Sequence, residues 1–368
     1  MSIDATRRAG MMEGVRVAYT LEQCWHRVPG GTGVAALRTA EALEGVADVE
    51  LIGVAGRHRH APGHDWTPPI PWVQLPIAAP WLYESWLYLR WPRPETVTGH
   101  VDVVHATTLI PCPTRRPLVV TLHDLAFLHR PEQFTAHGVR LFTRSLELIR
   151  RHADLVLCCS QATIDDCLSA GIGIDRLRHV PLGVDIELAA EHDVTRVRAL
   201  YRLPERYLLF VGTVEPRKNL RGLAEAIAML DEPLPLVVAG ADGWGDAGAD
   251  LDGDVQFLGY VPNEDLAALY KGAYVFCYPS ELEGYGLPVL EAMAQGTAVV
   301  TSSDTATEEA AGGAAVLVDP TDPSDIARGI SEAISRRVEL GVLGHRRAAR
   351  ATWKQTADLT AAAYRELV

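Results

Sequence analysis

The feature that most constrains this chain is a strand, a loop, a helix and a second strand in close succession near residue 285. An apolar run at residues 273–278 (AYVFCY) predicts a buried parallel strand. Pro288 suits the first turn of a helix, residues 289–295 (VLEAMAQ) favour its continuation, and Gly296 suits its end. Residues 297–301 (TAVVT) predict the next strand. Such a unit indicates an α/β protein built on parallel sheets.

The loop of this unit predicts an anion-binding site. Backbone N–H groups before a helix, and the positive end of its dipole, point at whatever occupies the loop. Glu283 lies in the loop and Glu291 about one turn inside the helix, and carboxylates accept hydrogen bonds from sugar hydroxyls. An anion between hydroxyl-binding groups fits a nucleotide sugar, whereas the alternative is a surface loop with two solvated glutamates. The loop residues concerned are Gly284, Tyr285, Gly286 and Leu287.

A second motif follows the strand predicted at residues 207–211. It reads GTVEPRKNL and precedes a helix predicted from Arg221. Arg217 stands there beside Lys218, which is one of only three lysines in a chain with 34 basic residues. A guanidinium fork and a compact ammonium suit the two phosphates of a diphosphate. The alternative is a solvated start of a helix.

The N-terminal part opens with a strand at residues 15–20, glycines at 30, 31 and 33, a helix at 34–43 and a strand at 49–54. Gly31, Gly33 and Ala36 match the spacing of the dinucleotide fingerprint, which leaves a nicotinamide-dependent oxidoreductase as an alternative. The stretch 23–29 is too long for the tight strand-to-glycine junction that such sites need. This mismatch favours another role for the glycine loop over a nicotinamide site.

Another candidate is His123, which directly follows the strand predicted at residues 118–122 and precedes Asp124. Ligands of open α/β sheets bind at the carboxyl ends of strands, so this position faces the expected cleft. A single histidine is otherwise more often a structural residue.

An aromatic segment lies between Trp66 and Trp91 and holds five of the eight tryptophans. Residues 81–88 (WLYESWLY) predict a helix with an aromatic face. Such a face suits an acceptor or a membrane surface, and packing on the sheet of the N-terminal domain is the alternative. A peripheral membrane contact through this domain is therefore one expectation.

Composition limits the class of protein. With 368 residues, two domains are expected. Up to Asp185 there are 18 basic and 19 acidic residues, and after it 16 and 28. The acidic C-terminal half argues against nucleic acid as a partner. The six cysteines form no metal-type clusters, and without a signal peptide or an apolar run of about 18 residues the expected location is the cytoplasm.

One sequence pattern suggests a metal, but only weakly. Asp252 and Asp254 form an Asp-x-Asp pair in a glycine-rich stretch that precedes a predicted strand instead of following one. We interpret it as a solvated loop, so no metal ligand is predicted.

The stretch at residues 280–301 resembles the signature of retaining glycosyltransferases of family 4, and the similarity extends from about Val15 to the C-terminus. It implies an α/β fold of GT-B architecture, with two doubly wound, Rossmann-like domains facing across a cleft. The expected parts are a loose extension (1–14), an acceptor-side domain (15–183), a donor-side domain (184–350) and a C-terminal helix (351–368) that returns to the first domain.

The resemblance also implies roles for individual residues. Arg217 and Lys218 would stabilise the leaving diphosphate, Glu283 would hold the hexose hydroxyls and Glu291 the ribose, and His123 would position the hexose. Further donor-binding positions are Gly31, Gly212, Gly284, Tyr285, Gly286, Leu287 and, at the base-binding edge, Tyr260 and Val261.

The expected reaction is retaining transfer of a hexose from a nucleotide diphosphate sugar to the hydroxyl of a glycan, lipid or small molecule. The sequence EPRKN resembles mannosyltransferase-like members, which makes GDP-mannose the first expectation for the donor. The loop amides and two basic side chains already supply positive charge, so we expect no metal requirement and no cofactor. The same residues would also suit a nucleotide-sugar epimerase of the same fold or a catalytically idle binding protein.

Overall fold

Short apolar strands alternate with helices along the chain and build two parallel sheets. The computed structural model describes residues 14–26, 29–79, 81–241, 251 and 253–368, so the extension predicted at residues 1–14 lies outside them except for its last residue. All strand pairs in both sheets are parallel. Parallel pairing requires a crossover between consecutive strands. Helices supply most of these crossovers, whereas residues 107–117 join two strands without a helix.

The first sheet has seven strands in the order β3-β2-β1-β4-β5-β6-β7. Its elements are β1 (Val15–Thr20), α1 (Gly30–Leu43), β2 (Val49–Arg57), β3 (Trp72–Ala78), α2 (Trp81–Glu84), α3 (Glu95–Thr98), β4 (Val103–Ala106), β5 (Leu118–Leu122), α4 (Ala126–His129), α5 (Ala136–His152), β6 (Leu155–Cys158), α6 (Gln161–Ser169) and β7 (Leu177–His179).

The second sheet has six strands in the order β10-β9-β8-β11-β12-β13. Its elements are α7 (Glu191–Tyr201), β8 (Leu208–Val211), α8 (Leu220–Ala228), β9 (Leu236–Ala239), β10 (Val255–Gly259), α9 (Asn263–Gly272), β11 (Val275–Tyr278), α10 (Leu287–Ala294), β12 (Val299–Ser302), α11 (Ala306–Ala311), β13 (Val316–Val318), α12 (Pro323–Ser335), α13 (Arg337–Ala348) and α14 (Trp353–Arg365).

Both faces of the first sheet are covered, as a doubly wound domain requires. Successive residues of a strand point to opposite faces. Val17 and Tyr19 of β1 accordingly belong to one hydrophobic cluster and Ala18 to another. In each sheet the strands are added first on one side of the first strand and then on the other. The order therefore reverses between β1 and β4 in the first sheet and between β8 and β11 in the second. Crevices at such switch points are where α/β proteins bind ligands.

The last helix packs on the first domain. Helix α14 lies against α1, and the Tyr364 hydroxyl is 2.7 Å from Nδ1 of the buried His105 in β4. Where the chain crosses between the sheets, Val184 N donates to Ala351 O at 2.9 Å. The two crossing segments therefore lie side by side.

The conformation of the glycines at positions 30, 31 and 33 differs from the predicted one. They were expected to form a loop, but the helix begins at Gly30 and includes them. Glycine has a low intrinsic helix propensity, but tertiary packing outweighs this propensity here. A β-carbon on Gly33 would lie 2.6 Å from the Pro29 side chain and 3.0 Å from the Trp66 ring. The bare backbone thus lets the first turn fit beneath Trp66.

The aromatic segment also differs from a single helix. It forms the one-turn helix α2 followed by a π-helical turn at Ser85–Leu89. Trp86 is buried and its Nε1 donates to Pro92 O at 2.9 Å, whereas Trp81 and Tyr88 are 66% and 59% exposed. Trp86 therefore packs in the core and the half-buried Tyr83 packs against it, in agreement with the packing interpretation, whereas Trp81 and Tyr88 face outward.

Candidate active site

The predicted site residues lie together in one cavity between the two sheets. Its volume is about 890 Å³, and residues of both domains form its walls. The first domain contributes the chain after β5 and the first turn of α1, and the second contributes the chain after β8, β10 and β11. The residues concerned are Gly31, His123, Gly212, Arg217, Lys218, Tyr260, Val261, Glu283, Gly284, Tyr285, Gly286, Leu287 and Glu291.

The loop before α10 joins the two domains at the centre of this cavity. A β-carbon on Gly284 would overlap the backbone oxygen of His123, so only glycine allows this approach. The Cys159 thiol lies 3.3 Å from both His123 O and Gly284 O. The Tyr285 hydroxyl donates to Leu182 O at 3.1 Å, so its ring points to the domain crossing. Tyr285 can therefore meet a donor with its backbone, while its side chain anchors the loop.

Two helices point their N-terminal ends at the cavity. Leu287 and Pro288 begin α10, and Gly30 and Gly31 begin α1. Neither helix has an acidic residue in its first turn. The free N–H groups and the positive dipole ends are therefore available to an anion, such as a diphosphate.

The basic motif forms a single turn of 3-10 helix, Pro216–Lys218, between β8 and α8. The Arg217 side chain is mostly buried. Its Nε donates to Glu215 at 2.9 Å, and its Nη1 donates to Leu282 O at 2.7 Å and lies 3.0 Å from Glu283 Oε1. Burial lowers the pKa of Arg217, but the carboxylates of Glu283 and Glu215 outweigh it and the pKa is raised. Arg217 thus ties the basic motif to the loop.

Lys218 differs from its neighbour. It is buried, but among the described residues its ammonium makes no hydrogen bond or ion pair; it lies 5.7 Å from the centre of the Tyr278 ring. Burial lowers the pKa of Lys218, partly offset by the Glu283 carboxylate. A β-carbon on Gly212 would lie 2.7 Å from Nζ. Glycine there leaves room for a cation that faces the cavity and lacks an anionic partner.

Glu283 is held as a carboxylate. Its Oε1 accepts from the Tyr278 hydroxyl and from Ser280 Oγ, both at 2.9 Å. Burial raises the pKa of Glu283, but Arg217 and Lys218 together with these hydrogen bonds lower it overall. The contacts among the described residues all use Oε1, so Oε2 is available to accept from a sugar hydroxyl.

Glu291 occupies a different environment on α10. Its Oε2 accepts from the Tyr270 hydroxyl of α9 at 2.7 Å. Burial raises the pKa of Glu291, and the Asp185 charge adds to this. Its position between α9 and α10, beyond the loop amides, fits a partner for hydroxyls rather than for the anion.

His123 follows β5, as the sequence predicts. Its Nε2 lies 3.3 Å from Thr107 O. A carbonyl only accepts, so the proton sits on Nε2 and Nδ1 is left as an acceptor. Burial lowers the pKa of His123, which keeps the ring neutral at pH 7. The next residue, Asp124, uses Oδ1 to accept from Ala126 N at 3.0 Å.

Several cavity contacts were not predicted from the sequence. Glu215 and Ser280 hold the basic motif and the loop together, Cys159 spans the domain contact, and Asp65 reaches the cavity from the segment between β2 and β3. Glu215 stands two residues before Arg217 and could have been identified as its partner. Ser280 likewise stands three residues before Glu283, whereas Cys159 and Asp65 have no local signal, since their partners lie far away in the chain. Of the Asp-x-Asp pair, Asp254 directly precedes β10 and Asp252 lies outside the described residues.

Two family models match the chain: Glycosyltransferase Family 4 over residues 29–188 and Glycosyl transferases group 1 over residues 195–351. O-antigen chain mannosyltransferase B of Escherichia coli is 33% identical over 267 residues, which are 68% of this chain and 70% of that protein. The chain belongs to the GT-B glycosyltransferases. This glycosyltransferase is also 35% identical to D-inositol 3-phosphate glycosyltransferase of Geodermatophilus obscurus over 315 residues, 72% of this chain and 66% of that protein. It matches 33% of the length of the E. coli mannosyltransferase WbdA, at 28% identity.

Solved structures establish the fold of the glycosyltransferase. HepE of Anabaena, crystallised with UDP and glucose, superposes with a TM-score of 0.72 at 18% identity and covers 96% of this chain and 100% of that one. Sucrose-phosphate synthase of Thermosynechococcus elongatus gives 0.76 at 21% identity, with 96% and 99% covered. These matches confirm the predicted GT-B architecture. In the described part of the glycosyltransferase, no helix is both long and apolar enough to span a bilayer.

Proposed function

We propose that this glycosyltransferase transfers a hexose from a nucleotide diphosphate sugar to an acceptor hydroxyl with retention of the anomeric configuration. One observation carries the proposal. The Lys218 ammonium, which has no ionic partner among the described residues, lines one cavity with the starts of two helices and with Glu283, His123 and Glu291. Cationic and N–H groups beside hydroxyl-binding groups suit the diphosphate, the hexose and the ribose of such a donor. Mannosyltransferases among the relatives favour mannose, and with it GDP-mannose, as donor.

The proposed mechanism depends on electrostatic stabilisation of the leaving group. As the bond from the anomeric carbon to the diphosphate breaks, negative charge grows on the phosphate oxygens, and Lys218 and the amides of the loop are already in place to meet it. Glu283 Oε2 and His123 Nδ1 hold the hexose hydroxyls. The leaving phosphate takes the proton of the acceptor, so attack occurs on the face that the diphosphate leaves.

The surroundings of Glu283 and Asp124 are consistent with retention assisted by the leaving phosphate. A double displacement needs a carboxylate nucleophile, and inversion needs a general base on the opposite face. Glu283 is engaged by Arg217, Tyr278 and Ser280, and Asp124 caps the turn before Ala126. Each carboxylate thus already has a positioning role, and the proposal assigns neither of them as nucleophile or base.

In the deciding experiment, the protein is incubated with an acceptor panel and with one nucleotide sugar at a time, namely a GDP-, a UDP- or an ADP-sugar. The anomeric configuration of the product is then determined by NMR. We expect an α-linked product from an α-linked donor. A β-linked product would refute retention and make Asp124 the first candidate base. Conversion of the donor in the absence of any acceptor would instead identify an epimerase. Activity that survives excess EDTA would support the proposal that Lys218, Arg217 and the loop amides suffice without a metal.

We further propose that the first domain rests on an anionic membrane surface, at the cytoplasmic face. Trp81, Tyr88, Leu89 and Trp91 are between 51% and 74% exposed and close together in the chain. The half-buried Arg90 and Arg93 lie in the same stretch of the chain. Exposed aromatic rings beside arginines suit the interface of an anionic bilayer, although the whole chain carries a net charge of −13.

A further inference from the structure

The end of the cavity away from His123 differs in character from its centre. It is formed by the chain after β10, by the start of α9 and by the single turn His64–Trp66 of the other domain. Strand β10 stands at the sheet edge, two places from β8, so this end lies about 10 Å from the chain that leads to Lys218. Val261 is buried and Leu266 half-buried here. A planar base attached to a diphosphate at Lys218 reaches this apolar wall.

Asp65 brings a carboxylate to this end from the opposite domain. Its Oδ2 accepts a hydrogen bond from the Tyr260 hydroxyl at 3.4 Å. The neighbouring Trp66 ring packs over Gly33 in the first turn of α1, which fixes the turn against the cavity. Its Oδ1 also lies 3.4 Å from Nδ1 of the fully exposed His64, and the Asp65 side chain is 38% exposed, so both oxygens remain within reach of a further donor.

We infer that Asp65 selects guanine as the base of the donor nucleotide, an inference that rests on the proposed function. Guanine presents a ring N–H and an amino group side by side, and the two oxygens of a carboxylate accept from both. Uracil presents a single N–H flanked by carbonyl oxygens, and a carboxylate oxygen repels the carbonyl beside it. Sites that hydrogen-bond a specific group strongly reject ligands that lack it. Asp65 thus gives the donor preference a structural cause.

The test measures the dissociation constants of GDP and UDP by titration calorimetry for the wild type and for Asp65→Asn, which keeps the shape but replaces one acceptor by a donor. We expect the wild type to prefer GDP and the variant to lose about tenfold to a hundredfold in GDP affinity, with UDP affinity little changed. Asp65→Ser serves as a second variant, and Glu132→Gln as a control that removes one exposed negative charge from the same domain.

The outcomes separate the two proposals. Wild-type preference for UDP, or equal changes in GDP and UDP affinity in both variants, would overturn the assignment of Asp65 while leaving the transferase function intact. Failure of the wild type to bind any nucleoside diphosphate would instead refute the proposed function. UDP binding by the variants reports that they are folded, so a loss confined to GDP supports base selection.

Discussion

At the scale of single residues, two adjacent cations play different parts. The guanidinium of Arg217 is paired with Glu215 and Glu283, whereas the ammonium of Lys218 is buried and has no ionic partner among the described residues. A buried charge without a counter-ion is costly. A bound diphosphate would remove that cost, which is why we assign Lys218 the main contact with the leaving group.

Lys218→Ala should therefore lower kcat/KM for the donor with little effect on thermal unfolding. A lost charge-assisted hydrogen bond corresponds to about 1.5–3 kcal/mol, or about tenfold to 150-fold in rate. Arg217→Ala should lower both activity and stability, since it leaves two buried carboxylates unpaired, at a cost on the order of 3 kcal/mol. Kinetics and melting curves of both variants provide the check. Unchanged kcat/KM in Lys218→Ala would refute its contact with phosphate.

The lowered pKa of Lys218 predicts a pH dependence. The ammonium is present below its pKa and lost as pH rises through it, so kcat/KM should fall on the alkaline side at a pH below 10.5, the ordinary pKa of lysine. Lys218→Arg stays charged at higher pH. The alkaline limb of its profile should move upward, and a limb at the same pH in both proteins would assign the titration to another group.

At the scale of elements, the important feature is the contact between the loop before α10 and the end of β5. The Gly284 backbone touches the His123 carbonyl, and the Cys159 thiol lies beside both. The loop thus positions Glu283 and His123, the residues proposed to bind the hexose, relative to each other. A small displacement at this contact would separate Glu283 from His123.

Gly284→Ala should accordingly reduce kcat/KM by about a hundredfold, because a methyl group pushes the two domains apart and misaligned groups lose that much rate. Each domain keeps its own core, so far-ultraviolet circular dichroism should remain unchanged. Gly45→Ala is a suitable control, since its methyl group would lie 3.3 Å from Ala42 O on an exposed turn. Equal activity of the two variants would show that the contact is not needed.

At the scale of the whole molecule, charge and exposed apolar surface are unevenly distributed. Binding to vesicles that contain anionic lipid should weaken about tenfold or more in the double variant Trp81→Ser with Leu89→Ser, because two exposed apolar side chains are removed. Val338→Ser with Val342→Ser removes comparable exposure, 76% and 49%, from the other domain. Co-sedimentation at low and high salt provides the measurement, and equal binding by the two double variants would contradict a membrane surface at Trp81.

The sequence alone determined the elements and the residue types of the site. Strands such as β5, β8 and β11 are short apolar runs, and the loops that follow them carry their chemistry within a few residues. Local patterns of this kind are visible without the fold. The strands β3, β7 and β13 were not predicted; the last two are only three residues long, and β3 has no fully apolar run.

Only the tertiary structure decided which groups are free and which are paired. Arg217 meets Glu283, 66 positions later, and Asp65 meets Tyr260 from the opposite domain. The glycines of α1 are helical against their intrinsic preference, and Trp66 packs over one of them, Gly33. Partners far apart in the chain leave no periodic signal, and the charge state of a buried group depends on all of its neighbours. The physical basis of the site is therefore the contact between domains, which no local pattern encodes.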